Sequence, residues 1–177
     1  MSKATTVTLH APARTASPTR PAFLLGVLTG ARSATPLGVL ALHHDGEHAQ
    51  GSWRDWPVLR SRAGRGLLVA AMLGELVGDK LPMTPSRTDP GALGGRAVSG
   101  AIAGLAVATT TTGPDRRGRS AVLGAVGALV GSVVLMRLRS TVARRTGLPD
   151  PVVALAEDAL AIVGSTVLWR RAGRRRR

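Results

Sequence analysis

The chain has no cysteine and no tyrosine, and only one phenylalanine and three tryptophans among 177 residues. Without cysteine there are no structural disulfides, no thiol chemistry and no Cys-ligated zinc. The shortage of aromatics argues against an ordinary water-soluble core of this size, which would lean on several large rings because each buries so much area. Acidic residues are also few: 10 Asp and Glu stand against 24 Lys and Arg, a formal charge of +14 that is almost all arginine.

What the chain does have is Ala, Val, Leu and 22 Gly, gathered into long stretches with little charge. Such stretches suit helices that approach closely in lipid, where packing and not the hydrophobic effect draws helices together. The basic residues interrupt or flank these runs and have no aromatic stacking platform beside them. This places them on loops and tails beside anionic lipid and speaks against a nucleic-acid partner.

Five apolar runs can be read: Pro21 to Leu42, Gly66 to Met83, Gly91 to Thr112, Ala121 to Leu138, and Pro151 to Trp169. The first, at about 22 residues, is long enough to cross a hydrocarbon core. It follows Arg14 and Arg20, as a signal peptide would, but further apolar runs come after it and no clean cleavage site precedes a globular domain. The expected fold is therefore all-α, a polytopic membrane bundle of four to five apolar segments over residues 21–169. A Thr/Ser/Pro-rich basic tail (residues 1–20), expected to be disordered, precedes it, and a basic tail (residues 170–177) follows. Three spacings of small residues, Gly26 with Gly30, Gly100 with Gly104 and Gly127 with Gly131, point to close helix contacts. Homo-oligomerisation through glycine faces is a further expectation.

The positive-inside rule puts both tails on the cytoplasmic side, which demands an even number of crossings, yet there are five runs. The second and fifth runs, the shortest and most polar, are the expected partial spans. Between the first two runs lies a polar loop with His43, His44 and His48, in which a metal site is a minor alternative to exposed loop histidines. Trp53 and Trp56, in the same loop, read as interfacial anchors.

The residues that could carry chemistry are the ionisable groups inside the runs: Arg32, Glu75, Asp79, Glu157 and Asp158. Charge facing lipid is costly, so these groups should look inward and find one another. Glu75 and Asp79 share a helix face, whereas Glu157 and Asp158 are about 100° apart. The expected pairing is Arg32 with Glu75 or Glu157. Lys80, Arg96 and Arg137 stand at run ends and can reach an interface by snorkelling. Pro36 and Pro82 interrupt their runs beside the charges; unwound backbone there could coordinate an ion, or the prolines could be simple kinks or helix ends.

The pair Arg32-Ser33 followed by Glu75 is echoed by Arg139-Ser140 followed by Glu157, a weak sign of an inverted repeat. Ser99 and Ser132 are single hydroxyls without a nearby histidine and read as packing residues, so no catalytic constellation, cofactor or metal is indicated.

Four elements resemble the uncharacterised bacterial membrane proteins grouped as domain of unknown function 4126. They are Gly30-Ala31-Arg32 with Thr35-Pro36-Leu37; Glu75-Leu-Val-Gly-Asp79-Lys80-Leu-Pro82; Arg96 before Ala97, Ser99 and Gly100; and Pro149-Asp150-Pro151-Val152-Val153 with Ala156-Glu157-Asp158. The chain departs from the pattern at Asp150 and Ala97. The resemblance implies a multi-pass bacterial membrane protein and no particular activity. On the residues themselves, two readings stand: a small transporter or channel-like protein of the cytoplasmic membrane for a cation, proton or small polar solute, or a non-transporting scaffold whose charges only fix helix packing.

Overall fold

The computed structural model describes residues 19–47, 50–78, 89–109 and 115–174. These residues are helical, with short turns and no strand among them. The helices are α1 (Thr19–Ala31), α2 (Thr35–Leu42), α3 (Pro57–Arg60), α4 (Arg62–Gly78), α5 (Pro90–Thr109), α6 (Asp115–Thr146) and α7 (Asp150–Arg174), with a 3-10 turn at Ser52–Asp55.

Three helices are long and apolar enough to cross a membrane: Pro90–Thr109, Arg116–Thr146 and Asp150–Gly173. The fifth apolar run, expected to be a partial span, is one of these. The broken one is the first: α1 and α2 meet at 115° across Arg32–Ala34. Pro36 explains where the break falls. It has no N–H to give and its ring would meet the carbonyl of Arg32, so the helix cannot continue through that turn, while the same proline is tolerated in the first turn of α2. α6 ends differently, on Gly147 at a φ of 67°, with its N–H bonded to the Ala143 carbonyl. Asp150 in the first turn of α7 then suits the positive end of that helix.

Glycine sets the packing. Gly124 of α6 sits against both α1 and α5: a Cβ on Gly26 would collide with the Gly124 carbonyl, and one on Gly100 would lie 2.5 Å from it. Gly104 meets Ser120, Gly30 meets Ala128 and Ser132, and Gly127 and Gly131 meet Phe23 and Val27. All three small-residue spacings are thus used, and they build one tight α1–α5–α6 unit. A second layer of larger side chains, including Leu37, Leu40, Met72 and Trp169, holds α2, α4 and α7 against it. Outward, large aliphatics such as Val122, Val126, Leu155 and Val163 stand exposed along α6 and α7. A contiguous apolar exterior of this kind suits lipid and not water.

The same contacts fix directions. Residues 26 and 30 of α1 meet 124 and 128 of α6 in rising order, so α1 and α6 run parallel. Gly100 against Gly124 and Gly104 against Ser120 make α5 antiparallel to α6. Leu28 against Gly164, with Arg32 on Asp158, makes α7 antiparallel to α1. Arg20, Arg116, Arg117, Arg119, Arg170 and Arg171 therefore share one end of the bundle.

After α2 the chain comes back to that same end, where the Trp53 N–H donates to Thr109 Oγ1 at the last residue of α5 (3.3 Å). α1–α2 is a re-entrant hairpin. Its two arms rise only about 20 and 12 Å. From there α4, α5, α6 and α7 traverse the bundle alternately, so the described N- and C-terminal residues lie on one side. This removes the parity conflict between five runs and two basic tails. α4, with 17 residues, is shorter than the three candidate spans.

Trp53 is buried, with its ring N–H donating to the Gln50 carbonyl (3.1 Å), and so is a core residue of the hairpin and not an interfacial anchor.

Candidate functional site

The break between α1 and α2 lies deep in the bundle. An interrupted helix leaves N–H and C=O groups without intrahelical partners, and in an apolar interior each must be met by something else. Here a side chain from every other major helix meets one. On α5, Arg96 Nη1 donates to the Gly30 carbonyl (3.0 Å). On α6, the Ser132 hydroxyl donates to the Ala128 carbonyl (2.8 Å) and lies 3.3 Å from the Gly30 carbonyl. On α7, Trp169 Nε1 donates to the Pro36 carbonyl (3.0 Å). On α4, Glu75 accepts from the Ser33 N–H (2.6 Å), the Ser33 hydroxyl (2.7 Å) and the Ala34 N–H (2.8 Å).

Glu75 thus seats a carboxylate at the head of α2, where free N–H groups and the helix dipole favour negative charge. Thr35, the first residue of α2, is fully buried, and its hydroxyl has no hydrogen-bond partner among the described residues.

Arg32 is the first residue of the break and is 0% exposed. Its Nε donates to Asp158 Oδ1 at 2.6 Å, and its Nη2 lies 2.5 Å from the same oxygen. The two charges therefore meet with their hydrogen bonds formed, the condition under which a buried pair repays the cost of leaving water.

The expected partner of Arg32 was Glu75 or Glu157, and the structure corrects this. Glu75 goes to the backbone of Ser33 and Ala34. Glu157, one residue and about 100° away from Asp158 on α7, faces α6 instead. There it meets Arg139 Nη1 at 3.3 Å, and Arg139 also binds Asp150 through Nε at 3.1 Å. This second cluster edges an apolar groove of about 180 Å³ between α6 and α7. Arg96, expected to snorkel from a helix end, is instead buried at the break. Asp79, Lys80 and Pro82 lie outside the described residues.

The histidine loop has a different geometry from a metal site. His44 Nδ1 is 2.7 Å from Asp45 Oδ1, and its ring packs edge-on against Trp53. The His44 contact, with help from Arg65, holds the Asp45 carboxyl below its usual range. No group of three or more His, Cys, Asp or Glu that could hold a metal ion exists among the described residues; His48 lies outside them.

Sequence reasoning found Arg32, Glu75 and Asp158 and missed the backbone of Ser33 and Ala34, Trp169 and Ser132. The exposed apolar belt around a buried polar break defines an all-helical protein of membrane type. A family model described as domain of unknown function (DUF4126) matches residues 21–171, and the chain belongs to that family. No curated protein and no solved structure matches it.

Proposed function

We propose that this is a small, non-enzymatic transport protein of the bacterial cytoplasmic membrane, moving a small ion or polar solute through the polar centre at the α1–α2 break. The observation that carries this reading is the discontinuous, re-entrant helix itself. Irregular backbone at membrane depth is tolerated where it lines a path or site, and broken helices form the substrate and ion sites of many transporters. Arg32, Glu75 and Asp158 form the centre, Arg96 and Pro36 shape it, and Asp79 is assigned to the same face of α4 from its spacing. Glu157 belongs to the neighbouring Arg139 cluster. The arginine-rich end faces the cytoplasm and its anionic lipids, by the positive-inside rule.

The carboxylate oxygens of Glu75 and Asp158 face donors, so this arrangement offers them to no cation. That saturation also favours the second reading, a scaffold in which the charges only lock the hairpin. Flux in liposomes under sodium, potassium, proton and chloride gradients separates the two. Transport predicts flux above empty vesicles, altered in Glu75→Gln and Asp158→Asn proteins that keep their fold. Absence of flux from every form, with both variants losing stability, establishes the scaffold.

A further inference from the structure

We propose that the N–H groups of Ser33 and Ala34, with the hydroxyls of Ser33 and Thr35, form a binding site for a small monovalent anion, which Glu75 fills in this state as a tethered substitute. The inference rests on the transport reading of the same centre and names the class of ion it would take.

The chemistry of the groups comes first. Backbone N–H groups can only donate, and three donors converge on the Glu75 carboxylate within 2.6–2.8 Å. A site built of donors at a helix N-terminus recognises negative charge. The Thr35 hydroxyl adds a second observation. It is wholly buried at the head of the same eight-residue helix and has no partner among the described residues, a state that costs free energy and that a bound acceptor would relieve.

Charge sets the valence. Arg32 is matched by Asp158, and Arg96, whose guanidinium holds the Gly30 carbonyl at the same break, is matched by the single charge of Glu75. When the Glu75 side chain leaves the head of α2, one positive charge is left over, and a monovalent ion balances it. The carboxylate comes from α4, which packs on α2 and α3 and lies outside the α1–α5–α6 unit, so its side chain can be withdrawn without opening the glycine seam.

The test is rescue of a vacated site. Glu75→Ala and Glu75→Gln proteins are purified in detergent in molar sodium chloride, and thermal unfolding is followed in chloride, bromide or formate against gluconate at equal ionic strength. The expected result is a saturable rise in Tm of Glu75→Ala, about 4 °C or more, with chloride, bromide or formate and not with gluconate. A further Ser33→Ala change should abolish it, and wild type should show little shift. Equal shifts in all four anions, no shift in either variant, or failure of both variants to fold even in molar chloride would overturn the proposal. Anion rescue without flux in any form leaves this site standing and removes the transport reading; flux without anion rescue removes this site alone.

Discussion

The dipeptide Arg-Ser occurs at Arg32-Ser33 and again at Arg139-Ser140, each time facing an acidic residue on α7, yet the two places behave differently. At the first, the helix breaks by 115° and turns back; at the second, α6 runs on without interruption to Thr146. Pro36 follows Arg32 by four residues, whereas Ala143 holds the matching place after Arg139, so only the first loses the bond to its i−4 carbonyl. The surroundings differ as well. Arg32 is 0% exposed and shares its centre with side chains from α4, α5 and α6. Arg139 is 19% exposed and its partner Asp150 is 64% exposed. One cluster holds a discontinuity together; the other staples two continuous helices near their ends. The inverted repeat suggested by the two dipeptides therefore does not extend to a second broken helix.

The largest expected effect comes from breaking this asymmetry at its buried end. Arg32→Met leaves Asp158 charged and unpaired in the interior and should destabilise the fold by about 3–5 kcal/mol. Arg139→Met, at a partly hydrated pair, should cost about 1 kcal/mol or less. Chemical unfolding in mixed micelles measures both. The double change Arg32→Met with Asp158→Leu should recover much of the loss, since an apolar pair of similar volume carries no desolvation penalty; no recovery would mean that the pair supplies more than charge balance.

Glycine positions sharpen the comparison next. Gly124→Val would push into Gly26, Gly100 and Gly104 together, and overpacking of this kind should cost about 1–3 kcal/mol or more. Gly118, on the same helix with nothing within 4 Å of a built Cβ, should respond oppositely. Gly118→Ala should stabilise by about 0.5–1 kcal/mol through helix propensity alone. A smaller change tests the hairpin's return arm. Trp169→Phe keeps most of the ring and deletes the donor to the Pro36 carbonyl, an expected loss of about 1 kcal/mol.

The smallest effect belongs to the loop after α2. Asp45 has its carboxyl lowered chiefly by the hydrogen bond to His44, then by the Arg65 charge. A folded pKa below the unfolded one gives a contribution present above the ordinary carboxylate range and lost as the pH falls through the lowered value. An acid titration of Tm should therefore show a slight extra loss in wild type that Asp45→Asn lacks.

Much of this centre was legible before the structure. Inward-facing charge at Arg32, Glu75 and Asp158 follows from the cost of charge in lipid, and the three glycine spacings that pack α1, α5 and α6 are plain in the chain. The choice between Glu157 and Asp158 was not legible. The two lie about 100° apart, and the rotation of α7 that selects Asp158 is set by distant contacts such as Gly164 on Leu28. Arg96 reads as a helix-end residue until the register of the glycine seam brings α5 level with Gly30. Pro36 announces an interruption but not its direction; the return toward the arginine-rich end depends on Glu75 and Trp169, residues forty and more positions away.

That return is the account's central claim, and the absence of cysteine allows a direct measurement. Single cysteines are introduced by Arg20→Cys, Glu47→Cys, Gly147→Cys and Arg171→Cys, and oriented proteoliposomes are treated with a membrane-impermeant thiol reagent. The account predicts labelling of positions 20, 47 and 171 from one side and of 147 from the other. Labelling of positions 20 and 47 from opposite sides would show that α1 and α2 form a crossing, and would contradict the re-entrant hairpin.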